Sequence, residues 1–312
     1  MSGLTSEQKQ QYDELGYVHL KDLFNPGDLQ PLIDELDTEI DRIAQVYHAD
    51  GLTESLYADE SFETRFMRIV GDAEQAYREM VDSKFLGPEV FNLLSHPAFL
   101  DIVEGIVGPE VHCQGRHRLR PKLPNFGIAD FRWHEDTDFA AKRVTYVQQQ
   151  YGLDREAAKA GGRFLSRIVA APQMPEPNFW VPLVPVDEQN GCLHVLPGGH
   201  LHTPPYEEQW EPNTYVAELN DLEPLVVPME VGDALLMHQH VPHVSPPNRT
   251  SAIRWSIDIR YQDGRRPVKS VREPGFLARS EERPEDVVTD YEGYRRIREA
   301  VAEFRATSGI RF

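Results

Sequence analysis

The sequence predicts a mainly β protein with flanking helices, built on a double-stranded β-helix core, the jelly roll of cupin type. Two observations predict this fold. After Val111, short runs of strand composition alternate with turn clusters such as Pro197-Gly198-Gly199, a pattern typical of antiparallel sheets rather than of βαβ units. Before Val111, apolar residues recur mainly at helical spacing. With 312 residues, 40% of them hydrophobic, the chain can bury a large core.

Residues 1–110 are predicted to be a largely helical support for the core. Thr5 and Gln8 have the spacing of a capping box at the start of a first helix. Pro26 opens a second helix, whose apolar residues follow at helical spacing. Ser95 and Gly108 bracket a third helix, with Ser95 at its start.

The jelly-roll core is predicted to occupy residues 111–262, and a C-terminal loop and helix (289–306) follow in residues 263–312. We expect residues 1–312 to form one domain. An insertion of helical composition at about 137–178 is interpreted as a lid or substrate wall, because long loops in compact domains are usually functional or disordered; the alternative is a surface excursion. The predicted strands are His112–Leu119, Phe131–Asp136, Arg167–Ala171, Phe179–Val184, Cys192–Leu196, Ala234–His238 and Arg254–Tyr261.

Two segments about a hundred residues apart carry candidate metal ligands. His134 and Asp136 are two residues apart in a predicted strand, so both side chains project to the same side and can share one ion. The second segment supplies histidines 238, 240 and 243. Two imidazoles and one carboxylate can hold ferrous iron on one face and leave the opposite positions free. The sequence therefore predicts a metal site.

Periodicity does not decide which histidine of the second segment binds the metal. Arg254 follows His243 by 11 residues and begins an alternating apolar run that reads as the next strand. A buried arginine on a neighbouring strand can pair bidentately with a carboxylate held at the metal. This arrangement favours His243 and predicts a dicarboxylate co-substrate.

These segments resemble the phytanoyl-CoA dioxygenase-like family of iron(II)/2-oxoglutarate-dependent oxygenases. The resemblance implies a non-haem dioxygenase that requires iron(II), 2-oxoglutarate and O2. Such an enzyme oxidises a C–H bond of a small organic substrate, usually by hydroxylation, while 2-oxoglutarate is decarboxylated to succinate. The matching segments run in order from Leu4 to Tyr261: LTSEQKQQYDELGYVHL, WHED, DEQNGCLHVLPGGH, GDALLMHQHVPHVSPPN and the Arg254 strand.

The resemblance also implies roles for individual residues. His134, Asp136 and His243 correspond to the iron ligands, which are also the catalytic centre. Arg254 corresponds to the residue that grips the distal carboxylate of 2-oxoglutarate, and Ser245 to its hydroxyl partner.

Two further residues are candidates for the 2-oxoglutarate pocket. Trp180 is expected to line it by resemblance, with a core position as the alternative, and Lys122 is similarly ambiguous. Asp136 stands where halogenating members of the wider group are expected to have a small residue. Its presence favours hydroxylation, desaturation or ring closure over halogenation.

A basic segment suggests an anionic substrate. Arg116, Arg118 and Arg120 alternate, so a strand there would aim all three at one face. Together with Lys122 and Arg132 they would form a basic entrance. The alternative is an exposed strand face balanced by surrounding acids.

Composition limits the remaining possibilities. The formal net charge of −19 argues against nucleic-acid partners, whose binding depends on Lys and Arg. The chain has no run of eighteen apolar residues, so the sequence predicts no membrane span. Two cysteines without CxxC spacing, and no signal-peptide pattern, predict a cytoplasmic protein. A hydrolase with a redox-silent metal and a non-catalytic jelly-roll binding protein remain alternatives; substrate identity and oligomeric state are left open.

Overall fold

The computed structural model describes residues 3–81, 85–126, 131–136, 175–202, 222–266 and 273–308. Seven helices are described there: α1 (Ser6–Leu15), α2 (Gln30–Ala49), α3 (Phe62–Asp72), α4 (Gln75–Val81), α5 (Pro88–Leu94), α6 (Pro97–Val107) and α7 (Tyr291–Ser308). The strands of the same ranges are β1 (Tyr17–Leu20), β2 (Val111–Cys113), β3 (Arg118–Leu119), β4 (Phe131–His134), β5 (Asn178–Pro182), β6 (His194–Val195), β7 (Leu225–Val226), β8 (Ala234–Met237), β9 (His243–Ser245), β10 (Ser256–Asp263) and β11 (Phe276–Arg279).

The strands form two antiparallel sheets. The larger has seven strands in the order β1-β8-β5-β10-β2-β11, with β3 also paired to β10. The smaller has four strands in the order β4-β9-β6-β7. Helices flank both sheets. Strands β5 to β11, seven of the eleven, come after the mainly helical N-terminal part and strands β2–β4 in the sequence. The prediction of a mainly β fold with flanking helices is confirmed.

Strand β10 separates the helical layer from the interior of the sheets. Its side chains alternate, and Ile257, Ile259 and Tyr261 join the core that packs against the N-terminal helices. A second apolar cluster includes Trp180 of β5 and Val195 of β6, so it connects the two sheets. The polar positions of β10 therefore face the space between the sheets.

The helix boundaries largely follow the predicted caps. The capping box at Thr5 and Gln8 is present at the start of α1. Helix α6 is capped by His96 instead of Ser95, because the His96 Nδ1 accepts from the Ala98 amide at 3.2 Å. Gly108 ends that helix as predicted. Helix α7 lies two residues later than the predicted 289–306.

The predicted strand His112–Leu119 is wrong as a single element. The ladder to β10 pairs Cys113 with Tyr261 and then Arg118 with Asp258, so four residues (114–117) lie opposite only two. This bulge interrupts the two-residue alternation. Gly115 allows it, because a Cβ there would lie 2.2 Å from the Pro274 carbonyl oxygen.

Some predictions lie outside the described residues. These are the strand at 167–171, nearly all of the insertion at 137–178, and the side chain of Arg132. The stretch Pro88–Val107 has the length and mean hydropathy, 1.3, of a membrane span. Half of that window is buried within the protein, and the structure divides it between α5 and α6, so it is weak support for a membrane location.

Candidate active site

The three predicted metal ligands lie together at one end of the smaller sheet. β4 pairs with β9 so that His134 is directly opposite His243, and the two imidazole centroids are 4.3 Å apart. Asp136 follows two residues after His134, in a turn just beyond the end of β4. One ligand atom from each residue lies within 4.8 Å of the other two, which is compatible with a shared metal ion.

A backbone contact orients one of the histidines. The Nδ1 of His243 lies 3.0 Å from the Val241 carbonyl oxygen, which can only accept, so Nδ1 carries the proton. The Nε2 atom is then the unprotonated nitrogen that a metal requires. Two neutral imidazole nitrogens and a carboxylate fit the donor set expected for iron(II).

Asp136 also has two partners that the sequence did not predict. Arg260 Nη2 donates to its Oδ1 at 2.6 Å, and Asn178 Nδ2 donates to its Oδ2. Burial raises the pKa of Asp136, but its electrostatic interactions with Arg260, first of all, and with His243 and His134 lower it by more, so the pKa lies well below its usual range. The carboxylate is therefore ionised at neutral pH.

A different environment surrounds Arg254, whose side chain is buried at the edge of the same cavity. Its Nη2 donates to Ser245 Oγ at 2.9 Å and its Nη1 to Ser256 Oγ at 2.5 Å. The guanidinium lies 5.1 Å from the ring centroid of Trp180. Within the described residues, Arg254 has no carboxylate in an ion pair, and its Nε has no hydrogen-bond partner. Burial lowers the pKa of Arg254 to about 10, so it remains charged at neutral pH.

Lys122 extends this second region. Its Nζ donates to the Ser245 carbonyl oxygen at 2.9 Å and to Ser245 Oγ at 3.2 Å. Gly191 allows the close packing around it, because a Cβ at that left-handed position would lie 2.4 Å from the Pro246 carbonyl oxygen and 3.1 Å from Lys122 Cε. Lys122 and Trp180 thus both lie beside Arg254.

The three alternating arginines do not all line the cavity. Only Arg120 lines the cavity, where its Nε donates to Asp258 Oδ2 at 2.9 Å. Arg118 and Arg116 are directed to Glu273, at 2.9 Å and 3.8 Å. Arg116 lies within the bulge at 114–117, where the two-residue alternation is interrupted, whereas Arg118 and Arg120 both follow it.

Glu135, which lies between the predicted ligands His134 and Asp136, also makes a hydrogen bond. It is buried, and its Oε2 accepts from His240 Nδ1 at 2.9 Å. His240 in turn donates its backbone N–H to His238 Nδ1 at 3.2 Å. Burial and the neighbouring His240 and His200 lower the pKa of His238 to about 3, so this imidazole stays neutral. These histidines therefore support the site through hydrogen bonds. They are not part of the ligand group, which consists of His134, Asp136 and His243.

The ligand group and the Arg254 region line one cavity. Its wall comes from β5, β10 and β9, together with Tyr77 of α4. An ionised carboxylate beside two imidazoles fits a divalent metal. A buried guanidinium with no carboxylate partner in the described parts of the chain fits a carboxylate-bearing co-substrate. The site defines a metal-dependent enzyme with an acidic co-substrate.

Comparison with known proteins places this enzyme in a family. The profile of the phytanoyl-CoA dioxygenase (PhyH) family matches residues 12–256, and the chain belongs to that family. It is similar to peroxisomal phytanoyl-CoA dioxygenase of Rattus norvegicus, with 26% identity over 275 residues that cover 83% of this chain and 68% of the relative. The Homo sapiens protein is 24% identical over 273 residues, with coverages of 83% and 68%. The chain is thus an iron(II)/2-oxoglutarate-dependent oxygenase, as predicted.

Solved structures show the same fold. The non-haem monooxygenase ThoJ in its nickel complex superposes with a TM-score of 0.52 at 17% identity, covering 96% of this chain and 99% of that one. EctD from S. alaskensis with 2-oxoglutarate and 5-hydroxyectoine also gives 0.52, at 18% identity and coverages of 89% and 87%. At these identities the likeness concerns the fold alone, and it agrees with the predicted jelly roll.

Proposed function

We propose that this protein hydroxylates a C–H bond of a small, anionic organic substrate. In the overall reaction, one oxygen atom of O2 enters the substrate and the other enters succinate, while 2-oxoglutarate loses CO2. Iron(II), when bound, supplies the redox chemistry that couples the decarboxylation to oxidation of the substrate. The protein's own residues bind, orient and shield the reactants.

The proposed metal ligands are His134, Asp136 and His243. Their support is the clustering of their ligand atoms and the protonation of His243 at Nδ1. Arg254 and Ser245 are proposed to bind the distal carboxylate of 2-oxoglutarate. Ser245 Oγ is within hydrogen-bond distance of the guanidinium, so both can donate to the same carboxylate.

Lys122 and Trp180 are proposed to complete the co-substrate site. Lys122 adds a second buried positive charge next to Ser245, which strengthens the binding of a dianion in a site of low dielectric constant. Trp180 holds the guanidinium plane by a cation–π contact. Both residues limit the directions in which Arg254 can move.

The observation that carries the proposal is that Arg254, beside the ligand group, has no carboxylate partner among the described residues. A buried cation without a carboxylate partner destabilises the free protein, which supports a ligand that supplies the missing charge. A hydrolase that uses a redox-silent metal needs no such second site. A binding protein needs no ionised carboxylate between two imidazoles.

Arg120 supports the anionic character of the substrate, because it lines the cavity while Arg116 and Arg118 are directed elsewhere. Its partner Asp258 lies on the same wall, so a substrate anion would compete with Asp258 for this guanidinium. Once a substrate is known, Arg120→Met should raise its KM by roughly tenfold, the effect of one charge-assisted hydrogen bond. An unchanged KM would contradict this assignment.

The co-substrate site can be tested without a substrate. Anaerobic protein loaded with iron(II) is titrated with 2-oxoglutarate, and the visible charge-transfer band is followed in wild type, His134→Ala and Arg254→Ala. The band should appear in wild type, be lost in His134→Ala and require far more 2-oxoglutarate in Arg254→Ala. Fully metallated wild type without a band would contradict the proposed function and favour the hydrolase or binding-protein alternatives.

We also propose one oxygenase domain for residues 1–312 and a cytoplasmic location. The packing of Tyr294 of α7 on Phe276 of β11, with centroids 4.7 Å apart, supports a shared core. Cys113 and Cys192 are buried free thiols, which suits a reducing compartment. The relatives named above are peroxisomal in animals, so localisation of the tagged protein in its own cells is the test.

A further inference from the structure

The carboxylate of Asp136 is held by two side chains to which the proposed function assigns no role. Arg260 Nη2 donates to Oδ1 at 2.6 Å, and Asn178 Nδ2 donates to Oδ2. Each oxygen thus has one donor of its own. A carboxylate oxygen has two lone pairs, so each can accept this hydrogen bond and still offer one lone pair.

Both donors are fixed by the larger sheet. Arg260 and Asn178 are directly opposite each other in the β10–β5 ladder, so their side chains project from the same face. Arg260 Nη1 also donates to the Arg116 carbonyl oxygen at 3.2 Å, and Asp258 Oδ2 lies 4.0 Å from its Nη2. The Arg260 side chain is only 12% exposed. The two donors therefore have little freedom to move.

The orientation of Asn178 indicates that Asp136 determines it. Asn178 is 3% exposed, and its Oδ1 has no hydrogen-bond partner within the described parts of the chain. An unpaired buried acceptor is unfavourable, and an amide serving only the stability of the sheet would be expected to satisfy it. Here the amide directs its N–H to Asp136 and leaves its oxygen without a partner among the described residues.

We propose that Arg260 and Asn178 are positioning residues that clamp Asp136, so that it would offer a bound metal one oxygen and would not compete with 2-oxoglutarate for the metal. This inference rests on the proposed function. Without the clamp the carboxylate can rotate and bind the metal through both oxygens, which competes with the co-substrate. Loss of Arg260 also removes a positive charge close to the metal, so metal binding itself should not weaken.

Three variants separate these two effects. Asn178→Ala removes one donor without changing the charge, Arg260→Lys keeps the charge but cannot reproduce the guanidinium geometry, and Arg260→Met removes both. Arg279→Met is the matched control, because Arg279 pairs with Asp101 and Glu104 away from the cavity lining. Metal affinity is measured from the EPR signal of free Mn(II), and 2-oxoglutarate affinity from the charge-transfer band of the anaerobic iron(II) protein.

The proposal predicts a split between the two affinities. In Asn178→Ala and Arg260→Met, the Kd for 2-oxoglutarate should rise roughly tenfold or more, while the Kd for Mn(II) stays within about threefold of wild type or becomes lower. For Arg260→Lys, the Kd for 2-oxoglutarate should lie between the values of wild type and Arg260→Met. Arg279→Met should change neither the Kd for 2-oxoglutarate nor the Kd for Mn(II). If Arg260→Met does not fold, Asn178→Ala decides.

Two results would overturn the clamp. One is an unchanged 2-oxoglutarate affinity in folded Asn178→Ala, and the other is a parallel loss of metal and co-substrate affinity, which a general disturbance of the site would produce. These results are distinct from failure of the proposed function. In that case wild-type protein itself would show no metal-dependent binding of 2-oxoglutarate.

Discussion

Arg254 and Arg260 lie six residues apart on one extended segment and line the same cavity, but they differ in how their charges are compensated by neighbouring groups. Arg260 is in an ion pair with Asp136, and its pKa is raised because the attraction of Asp136 and Asp258 outweighs burial. Arg254 is bonded to two serine hydroxyls, has no ion pair within the described structure, and its pKa is lowered by burial. The ion pair of Arg260 restricts a protein carboxylate, and we propose that Arg254 instead binds the carboxylate of a co-substrate.

The largest expected effect is on the stability of the metal-free protein when Arg260 is removed. Arg260→Met leaves the buried Asp136 carboxylate without its cation, so the free energy of unfolding should fall by about 3 kcal/mol. Urea denaturation of the metal-free protein measures this change. The double variant Arg260→Met/Asp136→Asn should recover most of the loss. A single variant as stable as wild type would show that Asp136 is better solvated than its burial indicates.

A bound metal should reduce the loss of unfolding free energy in Arg260→Met. A divalent ion bound at His134, Asp136 and His243 supplies the positive charge that Arg260→Met removes. Saturating Mn(II) should therefore stabilise Arg260→Met more than wild type, with a difference of about 1–2 kcal/mol, by linkage between folding and binding. Thermal unfolding with and without Mn(II) measures it. Equal stabilisation of both proteins would mean that Arg260 and the metal do not share the charge of Asp136.

Arg254 should show the opposite sign. Arg254→Met replaces a buried cation for which the described residues provide no carboxylate partner, so the metal-free protein should be unchanged or more stable by about 1 kcal/mol. The same variant should lose most of its affinity for 2-oxoglutarate. Urea denaturation beside the charge-transfer titration tests both statements on one protein. A loss of stability as large as that of Arg260→Met would remove the distinction between the two arginines.

The sequence predicted the Arg254 half of this comparison better than the Arg260 half. The pairing of His134 with Asp136 follows from local spacing, since strands place residues two apart on one side, and the roles of His243 and Arg254 are implied by the resemblance to the family. Arg260 continues the same alternation from Arg254, so that signal was present, but its partner Asp136 is 124 residues away along the chain. The role of Asn178 depends on the pairing of β5 with β10, which local periodicity does not reveal.

The basic segment shows the other limit of sequence patterns. Alternation predicts Arg116, Arg118 and Arg120 on one face, but Arg116 lies within the bulge at 114–117, where Gly115 packs closely against the Pro274 carbonyl oxygen. That contact joins distant parts of the chain, and no local signal encodes it. Likewise, His96 replaces Ser95 as the cap of α6 because of a one-residue shift in where the helix begins.

The smallest expected effect concerns Arg118, which provides the reference for charges outside the site. Its ion pair with Glu273 is partly exposed, with side-chain exposures of 23% and 22%, so water and salt screen much of the interaction. Arg118→Met should change the free energy of unfolding by less than about 1 kcal/mol and leave the affinity for 2-oxoglutarate unchanged. Urea denaturation and the charge-transfer titration measure the two quantities. A lower co-substrate affinity in Arg118→Met would mean that net positive charge, rather than the placement of Arg254, determines binding. The contrast between Arg254 and Arg260 would then have no functional meaning.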